Sequence, residues 1–472
     1  MGRGTRRAWW TGAGVALLLL TASCSFVRGP VTGPGDVNLF TGFDVTQVGY
    51  QRTEYFLGGL ALSYRPKAPL TSDGKFSVEP DGSIPPVGFN TRMVIYRPSD
   101  PARFNGTVVV EWLNVTAGVD LGNDWVMAHT ELIRSGAAWV GVSAQAVGVN
   151  ALETSTPDRY QNLTHPGDSY SYAMFTEAGR QNRTHAQQVL GGLTPQRVIA
   201  TGESQSASRL VTYIDAVQPL DHVYDGFLVH SRSSGGSALS QAPLASVPVP
   251  SPVAIRDDLD VPVMVVEAEG DVIGSNLGVR QPDTPKFREW EIAGTSHADA
   301  YTINVGFGDV GDGAGATQMF DLMRNPPNFG GCDLPVNTGG HHWILNTAIH
   351  DLDAWVRTGT PPPTGAPLAV ASTSPVVLVR DAQGNAVGGI RTPQVDAPVA
   401  RIDGINTGPG FCRLFGSTTP LTTAQLTALY PTHAAFVAAW TTSLDNAVAN
   451  GFILPADRAE LLAAAVSSTV PS

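Results

Sequence analysis

The stretch Arg-Val-Ile-Ala-Thr-Gly-Glu-Ser-Gln-Ser-Ala-Ser-Arg-Leu at positions 197–210 restricts what this chain can fold into more than any other. Val198 and Ile199 open a short β-branched run that leads into Gly202. Ala207, Leu210, Val211 and Ile214 then repeat at i, i+3, i+4 and i+7, which predicts a helix with one apolar face. A strand, a tight turn carrying Ser204 and a helix must therefore follow one another within a few residues. In that setting Gly202-Glu203-Ser204-Gln205-Ser206 reads as a G-x-S-x-G turn, in which small flanking residues let strand and helix approach closely. Ser206 stands where the last glycine would be, and a second small residue still permits the approach. Such a turn places the Ser204 hydroxyl at a helix N-terminus, where backbone N–H groups point at developing negative charge. Ser204 is the candidate nucleophile, and the backbone N–H of Gln205 a candidate oxyanion donor.

The pattern by itself is weak in a chain with 51 glycines. Gly294-Thr295-Ser296-His297-Ala298 has a similar form, but Asp299-Ala300-Tyr301 and a glycine-rich loop follow it, with no amphipathic run. Without its context Ser204 would read as an ordinary N-capping serine.

The N-terminus reads as an export signal over residues 1–24. Arg3, Arg6 and Arg7 form a basic start, and Ala8–Ala22 is an apolar run too short and glycine-broken to span a bilayer comfortably. It ends at Thr21-Ala22-Ser23-Cys24, which looks like a lipobox whose cysteine would be acylated; Thr21 stands where Leu is usual, so plain secretion is the alternative. Residues 25–38, rich in Gly, Pro and Val, read as a tether. The expected location is outside the cytoplasm, on the outer face of a bacterial plasma membrane through a lipid on Cys24. The remaining cysteines, Cys332 and Cys412, are then expected to pair in an oxidising compartment. A net charge of −12 argues against nucleic acid as a partner.

Beyond the tether, Leu39–Pro66 and Phe76–Pro98 alternate apolar residues with turn signals and predict a β-rich opening. Gly106–Asn114 and Ala137–Gln145 are near-continuous apolar runs, as in strands buried on both faces, with a predicted helix over Asp124–Ser135 between them. Further strands are predicted at Tyr224–His230, Val261–Val266 and Phe287–Ala293, and a helix at Ile344–Val356. Strands alternating with helices imply a mostly parallel sheet. Ser231–Pro252, rich in Ser, Pro and Ala, reads as a cap or substrate-lining loop. Asn114, in the loop after the Gly106–Asn114 strand, is a candidate second oxyanion donor or simply a turn residue. Glu267, Glu269 and Asp271 follow one buried strand and His297 the next. Chain order is thus serine, acid, histidine, each after a different strand; brought together in space, a neutral histidine could take the serine proton while the carboxylate fixes its tautomer and steadies the imidazolium. Asp271 is the preferred acid with Glu269 its rival, while His230, His341 and His342 are weaker candidates for the base. No H-E-x-x-H, C-x-x-C or P-loop lysine is present, so neither metal nor cofactor is expected.

These residues resemble the α/β-hydrolase superfamily. The narrower resemblance, to a bacterial family described as alpha/beta hydrolase domain proteins, is carried by Val110-Glu111-Trp112-Leu113-Asn114-Val115, Gly202–Ser206, Glu291–His297 and Asp351-Leu352-Asp353-Ala354-Trp355. It spans roughly Leu39 to Pro455 and implies an α/β-hydrolase fold, with the catalytic domain expected over residues 39–400; helical stretches at Leu421–Tyr430, His433–Asn450 and Pro455–Val466 predict a helical extension over 401–472 packed on it. It also implies esterase-like chemistry on a small ester, through Ser204, His297 and Asp271. A peptidase or amidase on the same three residues and a non-catalytic envelope-binding lipoprotein are the alternatives. Trp125, Tyr170, Tyr172 and Phe175 are candidates for an apolar pocket or for the core.

Overall fold

The structure, a computed structural model, describes residues 25–35 and 40–471. The signal segment and Cys24 lie outside the described residues, as does part of the expected tether.

A nine-stranded sheet forms the centre, with strands β1 (Phe26–Arg28), β2 (Tyr50–Ala61), β3 (Val87–Pro98), β4 (Thr107–Trp112), β5 (Ala138–Val142), β6 (Arg197–Glu203), β7 (Gly226–His230), β8 (Val263–Ala268) and β9 (Phe287–Ile292). Their spatial order is β1-β2-β3-β5-β4-β6-β7-β8-β9. The pairs β1–β2, β2–β3 and β3–β5 are antiparallel, and every pair from β5 to β9 is parallel. The parallel strands are covered on both faces, which explains their uninterrupted apolar runs. Alternate side chains feed two cores. Val109, Ile199, Leu228, Met264 and Trp290 enter one, whereas Val108, Val198, Phe227, Val263 and Phe287 enter the other.

Helix α1 (Asn123–Ser135) follows β4, α2 (Ser171–Thr184) precedes β6, α3 (Gln205–Thr212) follows it, and α4 (Glu269–Gly274) follows β8. The later helices are α5 (Ala314–Arg324), α6 (His341–Thr358), α7 (Thr423–Leu429), α8 (His433–Ala449) and α9 (Arg458–Ser467). The C-terminal helices are integral to the first core: Phe320 of α5 packs edge-on against Trp440 of α8 at 5.3 Å between ring centroids. Arg134 of α1 reaches Asp457 at 2.6 Å, and the Trp343 indole of α6 donates to Glu460 at 2.7 Å. Trp125, Tyr170, Tyr172 and Phe175 are all buried core residues and line no cleft at the candidate site.

The segment expected to be a tether differs from that expectation where it is described. Phe26–Arg28 pairs with Phe56–Gly58 as the edge strand of the sheet, and Val31 donates its N–H to the Glu54 carbonyl. Arg159 secures the same region, bonding Val31 O through Nη2 and Glu54 through Nε. Among the described residues no helix is long and apolar enough to cross a membrane.

Cys332 and Cys412 form a disulfide across 80 residues of sequence. It joins the loop ahead of α6 to the turn between two antiparallel strands, Ala400–Asp403 and Ser417–Pro420. Closing so long a loop removes conformational freedom from the unfolded chain and should stabilise by about 4 kcal/mol. Thermal unfolding of oxidised and reduced protein should differ accordingly, with the oxidised form melting higher; equal midpoints would deny the bridge that role.

Candidate active site

Ser204 caps the N-terminus of α3 with φ 59° and ψ −116°, a backbone state few non-glycine residues adopt. What holds it there is the sheet. Glu203 pairs with His230 in the β6–β7 register, and the Ser204 N–H donates to the His230 carbonyl at 2.9 Å. The chain must then reverse sharply into α3. Gly202 makes room for that reversal, since a Cβ there would lie 3.1 Å from Ser206 Cβ. Serine fits at 206, where its side chain is fully buried.

His297 and Asp271 meet Ser204 from the ends of β9 and β8. His297 Nδ1 donates to Asp271 Oδ1 at 2.6 Å, and His297 Nε2 lies 2.8 Å from Ser204 Oγ. A carboxylate opposite Nδ1 requires the proton there, leaving Nε2 of the neutral ring to accept from the serine hydroxyl. Asp271 sits in the first turn of α4 and also accepts the Ala268 N–H at 2.9 Å. Burial would raise its pKa, but the charge and hydrogen bond of His297, with the Ala268 N–H, hold it below the usual carboxylate value. The arrangement can pass the Ser204 proton to an oriented imidazole.

The rival residues have other partners. Glu269 points away into a cage, accepting from Arg380 Nη1 at 2.6 Å, Gly294 N at 2.7 Å and Gly404 N at 3.1 Å. Glu267 is fully buried, and burial pushes its carboxyl well above the usual range. His230 is bound by Asp124 Oδ1 at 2.7 Å on one side and His341 Nε2 at 2.9 Å on the other. Burial and the neighbouring His230 push His341 down to about 3, which keeps it neutral. His342 stacks on Tyr301 at 3.9 Å, and burial takes it down to about 4.

Glu203 is the functional neighbour that sequence reasoning passed over, although it lies inside the motif. Its Oε1 stands 3.1 Å from His297 Nε2, so this ring nitrogen faces both a hydroxyl and a second carboxylate. Burial lowers the His297 pKa, but Asp271 and Glu203 outweigh it and push the ring up to about 9. Glu203 itself is raised by burial, against the opposing pull of His297.

Asn114 does not serve as the expected oxyanion donor. Its backbone N–H is committed to the Leu121 carbonyl, and its side-chain amide donates to Glu203 O and Oε2, each at 3.1 Å. Asn123 adds a third bond, to Glu203 Oε2 at 2.7 Å. The pair of asparagines therefore holds the carboxylate beside the imidazole. Gln205, the first residue of α3, has a backbone N–H that no preceding turn of helix can satisfy, as at every helix start.

Two clefts are lined in part by Ser204 and His297. One, of about 420 Å³, is walled by Phe307, Phe329, Phe411 and Phe415. The other, of about 460 Å³, is polar and includes Ser231, Arg232, Ser233, Ser275 and Arg413. Ser231, Arg232 and Ser233 come from the stretch expected to line substrate, which otherwise lies mostly outside helix and strand. The phenylalanines were invisible as a group because they come from three loops, one each for Phe307 and Phe329 and one for Phe411 and Phe415, without periodicity.

The chain matches the family model described as "Alpha/beta hydrolase domain" over residues 27–463. No curated protein matches it. Among solved structures it is similar to esterase Est22, at 14% identity and TM-score 0.29, over 52% of this chain and 72% of that one. A fungal esterase structure from Rhizomucor miehei gives 13% identity and TM-score 0.30, over 64% and 86% respectively. An alpha-beta serine hydrolase homologue from Coxiella burnetii gives 14% identity and TM-score 0.28, over 44% and 84%. These structural likenesses are distant, whereas the family match runs through nearly the whole described chain, including every element that carries the site. The protein belongs to the alpha/beta hydrolase domain family.

Proposed function

We propose that this hydrolase is a serine carboxylic ester hydrolase acting through an acyl-enzyme on Ser204. The observation that carries this reading is the continuous hydrogen-bonded series from Ser204 Oγ through His297 to Asp271 at the carboxyl edge of the parallel strands. Ser204 Oγ attacks the ester carbonyl carbon while His297 Nε2 takes the hydroxyl proton. Negative charge then gathers on the carbonyl oxygen, where the Gln205 N–H at the start of α3 can meet it. His297 returns the proton to the departing alcohol as the carbon–oxygen bond breaks. Water repeats the cycle against the acyl-enzyme and frees Ser204 and the acid. Asp271 keeps the ring in the working tautomer throughout. No step needs a cofactor. A binding protein would have no use for the strained Ser204 backbone, which speaks against the non-catalytic reading.

A fluorophosphonate should label Ser204, and Ser204→Ala should lower kcat by about 10⁴–10⁶-fold with the fold intact. Asp271→Asn should cost about 10⁴-fold by permitting the wrong tautomer. Glu269→Gln should act on stability instead, by about 1–2 kcal/mol, because the cage loses its charge while Arg380 keeps Asp403 at 3.3 Å. A label on another serine would discard the assignment, and a crippling Glu269→Gln with a mild Asp271→Asn would exchange the two acids. Amides cleaved as fast as matched esters would favour the peptidase reading.

The pH profile follows from the imidazole. Only neutral His297 can accept the serine proton, and its pKa lies at about 9. Thus kcat/KM of the free enzyme should climb with rising pH and reach half its plateau near that value. Glu203→Gln removes one of the two carboxylates that favour the imidazolium, so the rising limb should move to lower pH. An unmoved limb would mean that Glu203 does not act on His297 in solution.

The location belongs to the same proposal: export, with a lipid on Cys24 tying the enzyme to the membrane. The basic start, the short apolar run and the Cys332–Cys412 bridge all fit an oxidising compartment. Radiolabelled palmitate should enter the wild-type protein and not Cys24→Ala; equal incorporation would put the lipid on another residue, and none in either would leave secretion without an anchor.

A further inference from the structure

We propose that the substrate is an ester joining an apolar, aromatic-sized group to a group bearing a carboxylate, the first lying in the phenylalanine cleft and the second between Arg232 and Arg413. This rests on the esterase reading and narrows it to a substrate class.

The two clefts are unlike in the way that such a substrate requires. In the first, Phe307, Phe329 and Phe411 are 37%, 45% and 53% exposed. Large apolar side chains left open and gathered around one cavity mark a binding surface more often than chance exposure does. Phe329 and Phe415 meet edge to face at 5.1 Å between ring centroids, so the aromatic residues of this cleft pack against one another.

The second cleft holds two guanidinium groups without carboxylate partners. Arg232 follows β7 by two residues and is only 3% exposed, yet it enters none of the ion pairs among the described residues. Its Nε donates to the Ser233 carbonyl at 3.0 Å and its Nη2 to the Val253 carbonyl at 2.5 Å. Among the described residues Nη1 has no acceptor. The acids acting on Arg232 from a distance are Glu267, Asp215 and Glu289, and burial pushes all three carboxyls towards their neutral forms. A buried cation that makes no ion pair is costly, and a charge that arrives with the ligand offsets the cost. Arg413 stands at the mouth of the same cleft, exposed, with no ion pair or side-chain hydrogen bond among the described residues. Asp271 also lines this cleft, and its carboxylate is matched by His297. Two arginines lining one cleft, Arg232 with Nη1 left over and Arg413 with its whole guanidinium, together with serine hydroxyls, suit an anion such as a carboxylate.

Leu414, Ser204 and His297 border both clefts. An ester whose carbonyl sits over Ser204 must send its two halves into different chemical surroundings. The geometry leaves open which half is the acyl group, so the test uses both arrangements.

Three p-nitrophenyl or aryl esters of similar size separate the possibilities: p-nitrophenyl butyrate as the neutral reference, p-nitrophenyl hemiglutarate with the carboxylate on the acyl side, and the butyrate ester of 3-hydroxybenzoate with the carboxylate on the alcohol side. One anionic ester should exceed the neutral ester in kcat/KM by about tenfold after correction for intrinsic alkaline hydrolysis, the scale of one charge-assisted contact. That ratio should fall as ionic strength rises. It should drop at least several-fold in Arg413→Gln and invert in Arg413→Glu, both substitutions at an exposed position that folding tolerates. Neither anionic ester outrunning the neutral one, or a ratio untouched by Arg413→Glu, would overturn the proposal while leaving an active esterase. Failure to cleave any of the three, with Ser204 unlabelled by fluorophosphonate, would remove the esterase reading and this one with it.

Discussion

One backbone hydrogen bond, from Ser204 N–H to the His230 carbonyl, underlies the geometry of the whole site. It continues the β6–β7 ladder one residue past the end of β6, so the strand cannot drift into the helix gradually. The reversal is compressed into Ser204, and the positive φ is the result. Such strain survives only where its surroundings over-determine it, and here the parallel neighbours of β6 on both sides supply that constraint. With Ser204 so fixed, the ends of β8 and β9 need only deliver Asp271 and His297 to the same edge.

Behind the triad lies a second layer of buried polar groups that stiffens it. Glu111 at the end of β4 accepts the N–H groups of Asp124 and Trp125, anchoring the start of α1, and the indole N–H of Trp139. Asp124 in turn orients His230, which meets His341, which faces the Ser296 carbonyl next to His297. Each member has its partners, the condition under which a buried polar network rigidifies a site rather than weakening it. The glutamate cage performs the same service from below: Glu269 ties the loops at Gly294 and Gly404 together, and a Cβ on Gly270 would stand 2.3 Å from the Gly404 carbonyl oxygen. The C-terminal region is thereby locked to the turn that carries Asp271.

Much of this was legible in the chain because the signals were local. A parallel strand buried on both faces writes itself as an apolar run, and Ser204, Asp271 and His297 each follow such a run directly. The strand at Thr107–Trp112 and the helix at Asn123–Ser135 lie within a residue or two of where periodicity places them. What stayed hidden depends on meetings between distant parts. The side chain of Glu203 turns towards His297 only because of the reversal at Ser204, and no spacing encodes that. Asn114 had the right address for an oxyanion donor, but its hydrogen bonds to Leu121 and Glu203 leave it no free N–H. Phe26–Arg28 resembles a linker in composition, since three residues on a sheet edge carry too little pattern to read as a strand.

The turn at Phe411–Phe415 gives the molecule a partition between two rooms. Phe411 and Phe415 face the aromatic cleft, Arg413 faces the polar one, and Leu414 borders both. The neighbouring Cys412 fastens this partition to the loop that carries Cys332 and, three residues before it, Phe329 of the same aromatic cleft. Because residues of this one turn line both clefts, a shift of the turn touches both at once, and the disulfide restrains that shift. If the two halves of a substrate occupy the clefts as proposed, one substitution in this turn should alter selectivity for both halves.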